Sequence, residues 1–219
     1  PNCEYSLEPT IVIDPSAPAA WVEDFNGVME NLKGLLNPSR PEPLTIRAWL
    51  DTVDPPAGLE GGQYLTSQDG ELVMALEISS WEVENQHPHR LSVIAHEYFH
   101  WYQHSLHSGD MWSFNCKWII EGAAATFESM YLAQYHDITT YFEDSQLSNI
   151  PDGDPNPADY ENYSTMETNY GYSVYMMLIL AHHTSFKKVF VDFWEQAPQN
   201  ANWKDIFLST FGMSVEDFY

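Results

Sequence analysis

From Arg90 to Ser108 no proline or glycine interrupts the chain, and Leu91, Ile94, Ala95, Phe99 and Tyr102 recur at helical spacing. This stretch predicts a helix that starts near His89 and stops near Gly109. It carries His96-Glu97-Tyr98-Phe99-His100. Two histidines four apart lie on one helix face, one turn from each other, so both imidazoles can reach a single metal ion with a carboxylate beside it. The other reading of the same spacing is a surface helix with a histidine pair and a solvated glutamate. The apolar flank Val93-Ile94-Ala95 argues for a buried helix instead.

The rest of the chain supplies a frame. Thr10–Ile13 is a short β-prone run. Ser16 is placed to cap a helix from about Pro18 to Leu36, with Trp21, Phe25, Val28, Met29 and Leu32 forming its apolar stripe. Leu44 to Leu50 and Glu71 to Ser79 alternate as strands, and the Pro- and Gly-rich segment 54–62 between them reads as a loop. After the histidine helix come helices near 118–135, 169–183 and 186–196, a fifth capped by Asn202, and a last turn marked by Ser214 and Asp217. Strands come first and helices follow, which predicts an α+β fold with a small mixed sheet packed on the histidine helix. We read residues 1–219 as one domain, with an α/β part at 1–86 and a mainly helical part at 87–219. No internal repeat is visible.

With 32 acidic against 8 basic residues the chain carries a formal charge of −24, and no Lys or Arg stands between Lys117 and Lys187. Such a chain is repelled by nucleic acid and by anionic membranes. Its longest strongly apolar run, Val174 to Ala181, is too short to span a bilayer. No basic-then-apolar leader opens the sequence, so any signal peptide has already been removed. The strongly acidic, two-cysteine, Trp- and Tyr-rich composition sets the expectation of an extracellular, cell-surface or periplasmic protein, with a cytoplasmic one as the alternative. Cys3 and Cys116 are the only cysteines. A disulfide between them fits that setting, and two buried thiols are the alternative.

A catalytic zinc site needs three protein ligands and an open position. His96 and His100 supply two. Twenty residues separate His100 from Glu121, which stands in Trp118-Ile119-Ile120-Glu121-Gly122-Ala123-Ala124-Ala125. This arrangement resembles the gluzincin peptidases, in which a glutamate on the next helix completes the set. The resemblance implies a zincin-like fold, one catalytic zinc held by His96, His100 and Glu121, and Glu97 as general base toward metal-activated water that cleaves a peptide bond. It implies that Gly122 lets the glutamate helix approach the histidine helix closely. It also implies an oxyanion-stabilising tyrosine, Tyr172 or alternatively Tyr170, and extended peptide substrates aligned along the strand at 71–79 as a sheet edge. His104 faces much the same way as His100, but zinc cannot easily collect three ligands over two helical turns, so His104 is read as lining the cleft. His107 and Asp110 do not fit the metzincin motif. Where thermolysin-like members carry an aspartate, this chain has Ala125, and Glu128 is a candidate for holding a histidine ring. The specific motif covers only residues 93–128. A zinc domain without catalysis and a zinc hydrolase of non-peptide substrates stay open on the ligands alone. Asp152-Gly153-Asp154-Pro155-Asn156 alternates oxygen donors as a calcium loop does, but Pro157 and Tyr163 stand where an EF-hand needs Gly and Glu, so a plain acidic turn is the stronger reading.

Overall fold

The computed structural model describes residues 8–38, 41–107, 116–150, 156–161, 170–196 and 202–219. It is a mixed α+β protein whose chain divides into two compact units, residues 1–105 and 106–219. The division falls at the end of the histidine helix, which therefore belongs with the sheet.

The first unit holds four strands in the order β1-β2-β4-β3. β1 (Thr10–Ile13) leads into α1 (Ala19–Leu35) and on to β2 (Leu44–Leu50), which lies parallel to β1 with Ile11 opposite Ile46. α1 buries Trp21, Phe25, Val28, Met29 and Leu32, the stripe expected from the sequence. Its cap differs from expectation. Pro18 occupies the N-cap without a side-chain bond, and the Ser16 amide instead donates to Asp14 Oδ1 at 2.8 Å, closing a turn ahead of the helix.

β3 (Gln63–Gln68) and β4 (Glu71–Ile78) form an antiparallel hairpin through Asp69 and Gly70, both at positive φ, as a two-residue turn demands. β4 also pairs in parallel with β2, with Met74 opposite Ile46. This corrects the expectation that the strand at 71–79 is a sheet edge. β4 is an inner strand, and the edge next to it is β3, which the sequence pattern did not reveal. Position explains the burial. Leu72 through Leu76 are all buried, because one face of β4 lies in the main core while Val73 and Ala75 pack with Trp49, Leu59 and Tyr64 on the other. The loop at 54–62 covers that second face through Leu59.

After β4, Ser79 caps a short helix, α2 (Ser80–Glu84), by accepting from the Glu82 amide. α3 (His89–Leu106) is the motif helix. Arg90 Nε donates to Asp24 of α1 at 2.9 Å, Trp101 Nε1 donates to the Glu42 carbonyl at 2.9 Å, and the Glu42 amide donates to Ser105 Oγ at 3.3 Å. These bonds fix both ends of α3 within the first unit.

The second unit is helical: α4 (Lys117–His136), α5 (Tyr170–His183), α6 (Phe193–Glu195), α7 (Trp203–Phe211) and α8 (Val215–Phe218), with π-helical turns at Phe142–Gln146 and Lys188–Asp192. Asn202 caps α7 and Ser214 caps α8, as expected. α4 is closed in along nearly its whole length, with Ala123, Ala124 and Ala125 fully buried. Its start is anchored by Trp118, which stacks on Phe218 at 5.8 Å and donates through Nε1 to the Tyr219 hydroxyl, itself bonded to Glu161. Cys116 is a buried cysteine, and burial pushes its thiol pKa well up. Its proposed partner Cys3 lies outside the described residues, as do Asp152 to Pro155 of the calcium reading. Among the described residues no helix is long and apolar enough to cross a membrane.

Candidate metal centre

α3 has little polar surface to spare. Leu91, Ile94, Ala95, Tyr98, Phe99, Trp101 and Tyr102 are buried around it, so the helix is enclosed rather than half-solvated. Within that enclosure, besides the buried hydroxyls of Ser92 and Ser105, stand His96 at 7% exposed, Glu97 at 6%, His100 at 2% and Gln103 at 0%. Burying such groups is costly unless each meets a partner or an ion. A surface helix with a solvated His pair is thereby excluded.

The helical repeat stacks His100 over His96, as the four-residue spacing requires. The rings meet nearly at right angles, 83° between planes and 4.8 Å between centroids. Their Nε2 atoms face each other at 3.1 Å. Two nitrogens bound to one tetrahedral zinc at ordinary bond lengths stand about 3.3 Å apart. The observed separation is close to that value.

Glu121 is 8% exposed on the first turn and a half of α4. Its carboxylate completes the group: His96, His100 and Glu121 each offer one ligand atom, and these atoms all lie within 4.8 Å of one another. That span exceeds the about 3.3 Å edge of a zinc tetrahedron. Neither His104, which is half-buried, nor the buried His107 belongs to the group. Glu97 is also outside it.

The residue after Glu121 packs against α5. A Cβ on Gly122 would stand 2.8 Å from the Ser173 carbonyl and 3.0 Å from Met177 Cγ. The missing side chain thus admits the backbone of α5, and it is α5 that approaches α4 closely here. Tyr172 precedes Ser173 and is 9% exposed, its ring tilted on Tyr160 at 4.6 Å and near Tyr175. Tyr170, at the start of the same helix, is 40% exposed. One turn beyond Ala125, buried Glu128 accepts a bond from Gln146 Nε2, the amide of a π-helical turn, at 2.7 Å.

One residue was overlooked in the sequence. Gln103 Oε1 lies 2.7 Å from His100 Nδ1, with both side chains buried. The signal that finds it is a polar residue three positions after a candidate ligand histidine on the buried face of the helix.

In comparisons with protein-family models, curated proteins and solved structures, nothing matches this chain.

Proposed function

We propose that this chain is a gluzincin-type zinc metallopeptidase with a zincin-like sheet and helix. The observation that carries the reading is the facing pair of histidine Nε2 atoms, 3.1 Å apart, on a buried helix that also carries Glu97. Glu121 supports it as an oxygen donor close to both. Zinc in such a donor set supplies Lewis acidity and makes hydroxide available near neutral pH.

The chain's own residues do the remaining work. His96, His100 and Glu121 hold the ion. Glu97, buried beside the first ligand histidine, accepts the proton that the attacking water gives up and returns it to the amine nitrogen as the peptide bond opens. Tyr172 is the hydroxyl proposed to donate to the tetrahedral oxyanion. Its support is its place next to Ser173, which packs on the glycine adjoining Glu121, whereas the alternate Tyr170 is exposed. An extended peptide is the substrate class, aligned by main-chain hydrogen bonds along β3, the antiparallel edge of the sheet. The strongly acidic composition supports a place of action outside the cell or on its surface, away from nucleic acid.

Glu97→Gln tests the reading. The variant is expected to bind one zinc per chain as the parent does and to lose about 10²- to 10⁴-fold in peptide hydrolysis, measured with a quenched peptide library. Full activity in the variant would overturn the mechanism. One bound zinc with no hydrolysis by the parent across the library would favour a non-catalytic zinc domain.

A further inference from the structure

We propose that Gln103 is a positioning residue that selects the metal-binding tautomer of His100, an inference that rests on the metal-centre reading above. An imidazole carries one proton when neutral, and the bond made by one ring nitrogen decides what the other can do. Gln103 Oε1 accepts from His100 Nδ1 at 2.7 Å. With the proton held at Nδ1, the Nε2 lone pair is left pointing toward His96 Nε2, 3.1 Å away. The opposite tautomer places a hydrogen on Nε2, in the space that an ion shared with His96 must occupy. The ring then offers no electron pair to the metal.

Three features make Gln103 suited to this task. It lies three residues after His100 on an unbroken helix, so the two side chains are neighbours by construction. It is fully buried and His100 nearly so, so bulk water does not stand in for the amide oxygen. The amide acceptor is neutral, which adds no further charge to a site that already holds two buried carboxylates, Glu97 and Glu121.

Two measurements test this. In the metal-free protein at pH 8, ¹⁵N-detected histidine spectra are expected to show His100 protonated at Nδ1. Gln103→Met, which keeps the side-chain length and removes the acceptor, is expected to move population to the Nε2-protonated form and to weaken zinc binding about 10- to 100-fold in chelator competition. Gln103→Glu restores an acceptor and is expected to recover the Nδ1 tautomer and zinc affinity to within several-fold of the parent. An Nε2-protonated His100 in the metal-free parent would overturn the proposal even if Gln103→Met fails to fold. Unchanged tautomer and unchanged zinc affinity in a folded Gln103→Met would overturn it too. Failure of the parent to bind zinc would instead sink the metal-centre reading, while the metal-free spectra still judge the Gln103 bond.

Discussion

α1 of the first unit and α4 of the second are held in opposite ways. In the first, α1 turns one stripe to the core and leaves Gly27 and Gly34 where an added Cβ would meet nothing within 4 Å. In the second, α4 is buried on nearly every side, and its Gly122 is spaced against the Ser173 backbone at a distance no Cβ tolerates. A half-exposed helix is held by an apolar stripe and is forgiving elsewhere. An enclosed helix is held by close backbone approach and is forgiving almost nowhere. The candidate ligands follow the same division: His96 and His100 are fixed by local helical spacing on α3, whereas Glu121 takes its position from the packing of α4 against α5.

Glycine substitutions break this comparison most directly. Gly122→Ala drives a methyl into a backbone carbonyl that cannot swing aside, and is expected to cost about 3 kcal/mol in urea denaturation. A neutral outcome would show that α4 and α5 do not approach as described.

The buried phenols sharpen it next. Burial, with Glu8 adding to it, pushes the Tyr98 pKa up to about 12. Burial pushes Tyr219 up as well, aided by Cys116 and Glu161. A phenol whose folded pKa is raised keeps its proton longer in the folded chain. The unfolded chain loses that proton first, so stability is whole below about pH 10 and falls as pH rises toward about 12. Tyr98→Phe is expected to remove on the order of 2 kcal/mol of that alkaline loss, read as a flatter stability profile between these limits. An unchanged profile would mean that Tyr98 is not enclosed as described.

The smallest effect has the opposite sign. Gly27→Ala on exposed helix surface is expected to stabilise by about 0.5–1 kcal/mol, seen as a higher urea midpoint. Destabilisation there would erase the contrast with Gly122.

The parts of the molecule that were legible in sequence are those set by short-range periodicity. The α1 stripe, the histidine face of α3, strands β1, β2 and β4, and the caps at Asn202 and Ser214 all rest on residues within a few positions of each other. β3 was missed because an edge strand buries only Leu65 among polar neighbours, although Asp69-Gly70 is a hairpin signal that points to a strand on its N-terminal side. The inner place of β4 depends on pairing with β2 across a loop, which no local pattern encodes. At the candidate site, the spacing of His96, Glu97 and His100 pointed to a buried cluster on one helix, and the resemblance of its setting pointed to Glu121. Gln103 was hidden by looking for ligands rather than for what orients them. Gly122 announces a close approach without naming the partner, and the Ser173 backbone of α5 stands against it.

The central claim is that His96, His100 and Glu121 hold one zinc ion. Zinc titration of the metal-depleted protein, followed by calorimetry and checked by metal analysis, tests it most directly. One equivalent is expected to bind to the parent and to be lost in both His96→Ala and His100→Ala, with Glu121→Ala binding far more weakly. A parent that takes up no zinc, or variants that hold it as tightly as the parent, would contradict the account.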